Sequence, residues 1–176
     1  METPNSAETS DSGLLSVIVP AYNEEQVLPE FHSRLSTVLA GIGLEAEIIY
    51  VNDGSRDNTL EILRRLRSMD DHVTIIDLSR NFGNEVAMTA GFDHALGDAV
   101  IVIDADLQDP PELIPEMVRQ WKAGYDMVYA QRTVREGGIG SQENNCVRFL
   151  SHHPVTDAGT NSRRYRRLSA AKQTSG

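Results

Sequence analysis

Five short runs of apolar and β-branched residues recur along the chain, at 15–19, 47–52, 73–78, 99–104 and 126–130. Inside them the apolar residues follow one another almost without interruption, as in Val17-Ile18-Val19, Ile48-Ile49-Tyr50-Val51 and Val100-Ile101-Val102-Ile103. Continuous runs of this kind mark strands buried on both faces. Between them lie longer segments, 24–39, 59–68, 85–95 and 111–122, where apolar residues return at helical spacing. In the second, Leu60, Leu63, Leu66 and Met69 share one side while Arg64, Arg65 and Arg67 take the other. This alternation predicts an α/β fold, a Rossmann-like, mainly parallel sheet with helices on both faces. After Glu136 the periodicity stops. Residues 137–176 are expected to be an irregular basic tail with at most a short helix over 163–172, residues 1–13 a disordered leader, and 14–136 the folded domain.

Composition narrows the picture. With 176 residues and 40% hydrophobic content the chain suits one domain, and at that size about 70% of the unfolded surface can be buried without disulfides or structural zinc. The single cysteine, Cys146, closes no intrachain bridge and points to a reducing compartment. A net charge of −10 disfavours nucleic acid as a partner. The acid excess lies before residue 137. Beyond it, Arg148, Arg163, Arg164, Arg166, Arg167 and Lys172 outweigh Glu143 and Asp157, a composition suited either to a solvated tail or to contact with anionic lipid headgroups. The leader is Ser/Thr/Glu-rich and lacks the basic start and apolar stretch of a signal peptide. No apolar run approaches the roughly 20 residues that span a bilayer. The expected location is cytoplasmic, with the membrane surface as the one candidate contact.

Each strand ends in a polar cluster, and in open α/β sheets ligands lie outside the carboxyl ends of the strands. The strongest cluster is Asp104-Ala105-Asp106-Leu107-Gln108. If it is extended, alternate side chains point one way, so Asp104, Asp106 and Gln108 offer three oxygens to one hard cation, Mg²⁺ or Mn²⁺. An isolated Asp-x-Asp is more often a solvated acidic loop; its place after a buried strand favours the site. Asp109-Pro110-Pro111-Glu112 follows, and Asp109 is expected first as the N-cap of a helix beginning at Pro110. Asp53-Gly54 is a turn dipeptide, with Ser55 or Asp57 available to cap the next helix, yet Asp53 stands where an acidic residue accepts hydrogen bonds from a base or ribose. Tyr22 can stack on a base and Glu24 accept its N–H; alternatively Asn23 simply caps the first helix. His32, His72 and His94 show no spacing for a common metal site, and His152-His153 is an isolated pair. There is no Walker loop and no Gly-x-Ser-x-Gly elbow.

Taken in order, Val17-Ile18-Val19-Pro20-Ala21-Tyr22-Asn23-Glu24, Val51 to Asp57, Ser79-Arg80-Asn81-Phe82-Gly83 and Asp104 to Glu112 closely resemble glycosyltransferase family 2, in particular its polyprenyl-phosphate branch. The resemblance covers about residues 14–136. It implies a GT-A fold, a UDP- or GDP-sugar donor, a divalent metal, and inverting hexosyl transfer to a polyprenyl phosphate at the cytoplasmic membrane face. Carried over by motif, Pro20, Ala21, Tyr22, Glu24, Asp53 and Asp104 hold the nucleotide, and Asp104, Asp106 and Gln108 hold the metal and diphosphate. Asp106, Asp109 and Arg132 are the catalytic candidates, Arg132 as the phosphate-contacting arginine with Arg135 a weaker one. Arg80 and Asn81 line the site in a role the resemblance leaves unassigned. Asn84 stands where many relatives carry a basic or polar residue. The acceptor-side and membrane segments that relatives carry after this point are expected to be missing or replaced, and transfer to be impaired. Three alternatives stay open: a nucleotide-sugar-binding remnant without transfer, a family 2 enzyme with a saccharide acceptor, and a soluble metal-binding α/β module with no sugar chemistry.

Overall fold

A computed structural model describes residues 13–131, 145–151 and 165–169. Strands β1 (Leu14–Ala21), β2 (Glu45–Asn52), β3 (Val73–Asp77) and β4 (Ala99–Ile103) alternate with helices α1 (Leu28–Ala40), α2 (Thr59–Met69) and α3 (Asn84–His94). A 3₁₀ turn at Pro111–Leu113 leads into α4 (Ile114–Lys122) and β5 (Met127–Gln131); β6 (Asn145–Ser151) and β7 (Tyr165–Ser169) follow. The sheet order is β3-β2-β1-β4-β6-β5-β7. The first four strands pair in parallel. β6 runs antiparallel between β4 and β5, and β7 pairs in parallel with β5.

The two-residue period of the strands sorts the core into two layers. Leu15, Val17, Val19, Ile48, Tyr50, Ile101 and Ile103 pack with α1, α2 and α4 through Phe31, Leu35, Leu63, Ile114 and Met117. Ile18, Ile49, Val51, Val100 and Val102 pack with α3 through Ala87, Met88 and Phe92. Helices thus cover both faces, as the uninterrupted apolar runs predict. Each fully buried Leu or Ile contributes roughly 1.5–3 kcal/mol. α3 lies so close to β1 that a Cβ on Gly91 would stand 2.4 Å from Cγ2 of Ile18, so a larger residue here would force the Ile18 side chain to shift.

Two expectations change. The first helix begins at Leu28 and not at residue 24, because the carbonyl of Glu24 closes a turn with the amides of Val27 and Leu28 while the preceding amides bond to a neighbouring loop. More importantly, the expected irregular tail contains β6 and β7, and 165–169, inside the anticipated short helix, is a strand. These strands have little alternating pattern of their own. Their register comes from distant partners, Ala99↔Ser151 to Ile103↔Val147 for β6 on β4 and Met127↔Tyr165 to Gln131↔Ser169 for β7 on β5. Strand propensity is mostly a response to such neighbours.

Candidate active site

In the order β3-β2-β1-β4 the chain leaves β1 in one direction for β2 and β3 and returns on the other side as β4, so the topological switch lies between β1 and β4, where crevices form. The ladders show how this one opens. β1 pairs with β2 as far as Ala21↔Asn52, but with β4 only as far as Ile18↔Val102. Pro20, which has no N–H to offer, falls in β1 just where the β4 side has stopped pairing. A cavity of about 300 Å³ occupies the gap, lined by Pro20, Ala21, Tyr22, Glu24, Asp53, Asn81, Gly83, Asn84, Ala87, Asp104, Ala105 and Asp106.

Hydrogen bonds between loops fix its walls. After β1, the backbone amides of Asn23, Glu24 and Glu25 donate to Ser55 Oγ (3.0 Å), Thr59 Oγ1 (2.8 Å) and Asp57 Oδ2 (3.2 Å). In return the amide of Arg56 donates to Asn23 Oδ1 (2.8 Å) and that of Asn58 to Glu25 Oε2 (3.0 Å). Asn23 takes φ 57° to do this; it joins two loops and does not cap α1. Neither expected cap, Ser55 or Asp57, stands at the N-cap of α2, which is Asn58; Asp57, one residue earlier, accepts the Thr59 amide on Oδ1 at 3.0 Å. Burial opposes ionisation of Asp57, but the hydrogen bonds from Thr59 and Glu25 outweigh it and hold this carboxyl below its ordinary value.

The acidic residues converge unevenly. Glu24, Asp53, Asp104 and Asp106 all line the cavity. Burial first, and then the charges of Asp106, Asp57 and Asp104, push the Glu24 carboxyl up from its ordinary value. Gln108 is exposed and is not part of the lining. The extended geometry expected of 104–108 is replaced by a turn, with Leu107 at φ 58° and the Gln108 amide donating to Asp106 Oδ1 at 2.9 Å. The alternate-residue rule therefore does not bring Gln108 to the same point as Asp104 and Asp106. Asp109 is buried, 3% exposed, and also lies off the lining. It is not the N-cap of a helix starting at Pro110: the turn begins at Pro111, with Pro110 in extended conformation before it. Arg132 and Arg135 lie outside the described residues.

Asn84 and Ala87 of α3, absent from the sequence expectations as site residues, form one wall together with Asn81 and Gly83. Their signal was the polar cluster ending the third strand. Asp53, 4% exposed, accepts the Phe82 amide on Oδ1 (2.7 Å) and the Gly83 amide on Oδ2 (2.9 Å).

Four carboxylates on one cavity, with the neighbouring charges disfavouring ionisation of Glu24, fit a hard divalent cation. Among the described residues no three acidic, His or Cys side chains form a ready-made metal cage. Mg²⁺ and Mn²⁺ do not require one, since they commonly bind through one or two carboxylates, waters and substrate phosphates.

A larger concavity, about 700 Å³, lies at the amino ends of β1, β2 and β3, with Leu39, Leu44, Glu45, Glu47, Asp70 and His72 among its lining. Here the structure joins two histidines that the sequence kept apart. His72 Nδ1 lies 2.9 Å from Asp70 Oδ1, His32 Nε2 lies 3.7 Å from Asp70 Oδ2, and His32 Nδ1 lies 3.1 Å from the Tyr50 hydroxyl. Burial lowers the His32 pKa against the pull of Asp70 and raises that of Tyr50.

Comparison with known proteins bears on the family and the fold. The profile of glycosyl transferase family 2 matches residues 16–169, reaching well past the point where the motif resemblance stops. A glycosyltransferase of Bacillus subtilis is 55% identical over 134 residues, covering 76% of this chain and 42% of its own. The bactoprenol glucosyl transferase of Shigella phage SfV is 46% identical over 121 residues, covering 69% and 39%. The chain therefore spans about two-fifths of the length of these relatives. A mannosyltransferase from Pyrobaculum calidifontis, solved with GDP-Man and Mn²⁺, superposes with a TM-score of 0.62 at 20% identity, covering 80% of this chain and 45% of that one. The fold is GT-A.

Proposed function

Because the chain belongs to glycosyltransferase family 2, we propose that it binds a nucleotide-sugar donor, UDP- or GDP-linked, in the cavity between β1 and β4 and transfers the sugar with inversion to a polyprenyl phosphate. The observation that carries this reading is the convergence of Glu24, Asp53, Asp104 and Asp106 on one cavity at the topological switch point. The bactoprenol glucosyl transferase among its relatives supports the lipid phosphate as acceptor.

In this reading Pro20, Ala21, Tyr22 and Glu24 flank the nucleoside, with Tyr22, 38% exposed, offering a ring face for stacking. Asp104 and Asp106 hold Mg²⁺ or Mn²⁺. When bound, the cation neutralises the charge that grows on the departing diphosphate, an effect of several kcal/mol. Gln108 joins that set only if its turn rearranges. Arg132, directly after β5, adds a fixed positive charge for the same diphosphate. A phosphomonoester has a second pKa of about 6 and is mostly dianionic at neutral pH, so it needs positioning more than deprotonation. This is consistent with a cavity that, among the described residues, is lined by carboxylates and no histidine. Of the two carboxylates expected as a base, Asp106 and Asp109, Asp106 lines the cavity and Asp109 is buried off its lining. The basic residues after Glu136 favour the cytoplasmic membrane surface, where such a lipid presents its phosphate. Among the described residues no helix is long and apolar enough to cross a membrane.

Transfer of radiolabelled sugar from UDP- or GDP-sugars to polyprenyl phosphate vesicles in Mn²⁺ tests the proposal. Labelled lipid is the expected product. Donor binding with no labelled lipid would reduce the function to nucleotide-sugar binding, and label appearing on a saccharide would replace the acceptor.

A further inference from the structure

His32, at the start of the second turn of α1, makes polar contacts to two other elements. Its Nδ1 lies 3.1 Å from the hydroxyl of Tyr50 on β2, and its Nε2 lies 3.4 Å from Ser36 Oγ one turn on and 3.7 Å from Asp70 Oδ2 at the end of α2. Tyr50 is fully buried, and the His32 side chain is 12% exposed. A hydroxyl cut off from water has to donate its hydrogen to an acceptor. Among the described residues, His32 Nδ1 is the acceptor the structure gives it. That nitrogen therefore keeps its lone pair, and the ring hydrogen of the neutral imidazole sits on Nε2, on the side of Ser36 Oγ and the Asp70 carboxylate. The titratable groups facing His32 are Tyr50 from β2 and Asp70 from the end of α2, with His72 against the other oxygen of Asp70 at 2.9 Å. Glu45, Glu47 and Asp71 belong to the lining of the adjoining concavity, as do Ser36, Asp70 and His72.

We propose that Tyr50 and His32 form an acid-sensitive latch between β2 and α1, closed while the Tyr50 hydroxyl donates to a neutral ring and broken when a second proton enters that ring. The proton comes from water and adds to the Nδ1 lone pair. Nδ1 is then a donor facing a donor, and the Tyr50 hydroxyl must turn its hydrogen away, toward no acceptor among the described residues. Asp70 pulls the other way, because an imidazolium would face its carboxylate, but burial outweighs that pull and keeps the His32 pKa below its ordinary 6.5. The folded pKa thus lies below the unfolded one. The stability held by the neutral ring is full above 6.5 and is lost as pH falls through that value to the folded one, by at most about tenfold in the unfolding constant per pH unit for one proton. The latch is independent of what the cavity between β1 and β4 binds.

Two measurements decide this. In the unaltered protein at neutral pH, NMR correlation of the His32 ring nitrogens with the ring hydrogens is expected to place the proton on Nε2, and titration of the same signals to show the ring charging below 6.5. A proton on Nδ1 at neutral pH, or charging at or above 6.5, would overturn the proposal. Tyr50→Phe removes the hydroxyl with little change of shape. His32 in this variant is expected to charge at a higher pH than in the unaltered protein, since no donor holds Nδ1 as an acceptor. The deficit of the variant in urea titration should be largest at neutral pH and narrow toward about pH 5. A deficit of the same size at both pH values would mean that the hydroxyl does not distinguish the charge states of the ring, and the latch would be lost with it.

Discussion

At the amino end of the sheet Asp70 sits between two imidazoles; at the carboxyl end Glu24 sits among Asp104, Asp106 and Asp57. Both carboxyls are partly buried, which by itself raises a carboxyl pKa. For Asp70 the hydrogen bonds from the His72 backbone and ring, with the charges of His72 and His32, overcome burial and lower its pKa. For Glu24 every neighbour acts in the same direction as burial. The amino end has the larger cavity, 700 against 300 Å³, yet its Asp70 is satisfied by His72 and His32 within the protein. The smaller cavity holds the acids whose repulsion a bound cation would relieve. Volume is thus a poorer guide to the site than unbalanced charge.

The contrast breaks most directly at Asp104 and Asp106. The double change to Ala is expected to weaken nucleotide-sugar binding in Mn²⁺ at least about 100-fold, about 2.7 kcal/mol, by calorimetry. Asp70→Asn is expected to cost about 1 kcal/mol in urea titration, because the His72 amide and ring lose a charged acceptor. The folded pKa of Asp70 is lowered, so its contribution is present above the unfolded value of 3.8 and lost as pH falls through the folded one; the variant should lack that acid loss. Glu24 has the opposite sign. Its folded pKa is raised, so its contribution is full below 4.5 and declines as pH rises through the folded value. Without divalent cation, Glu24→Gln should therefore be the more stable protein at neutral pH, by under about 1 kcal/mol after solvent screening. The smallest effect is expected at Arg34 and Glu112, an exposed bidentate pair at 2.9 and 2.7 Å that ties α1 to the 3₁₀ turn behind the site. Arg34→Ala should cost about 0.5 kcal/mol and leave donor affinity unchanged.

How much of this was legible in the sequence follows from the range of the interactions. The parallel strands and their helices could be read because burial on both faces leaves continuous apolar runs, and Pro20, Ala21, Tyr22, Glu24, Asp53, Asp104 and Asp106 could be placed because loops at strand ends share one crevice. The turn that replaces the extended geometry expected of 104–108 was not legible, because it depends on a left-handed Leu107 and on Asp106 accepting the Gln108 amide. β6 and β7 were missed because strands such as Tyr165–Ser169 are specified by partners far along the chain. The pairing of Asp53 with Phe82 and Gly83, and that of His32 with Asp70, likewise depends on contacts that no local pattern records.

Calorimetric titration of the unaltered protein with UDP and GDP, once in Mn²⁺ and once in EDTA, tests the central claim most directly. Cation-dependent binding of at least one nucleotide, abolished by EDTA and by the loss of Asp104 and Asp106, is the predicted result. Equal affinity in Mn²⁺ and EDTA, or no binding in either, would contradict it.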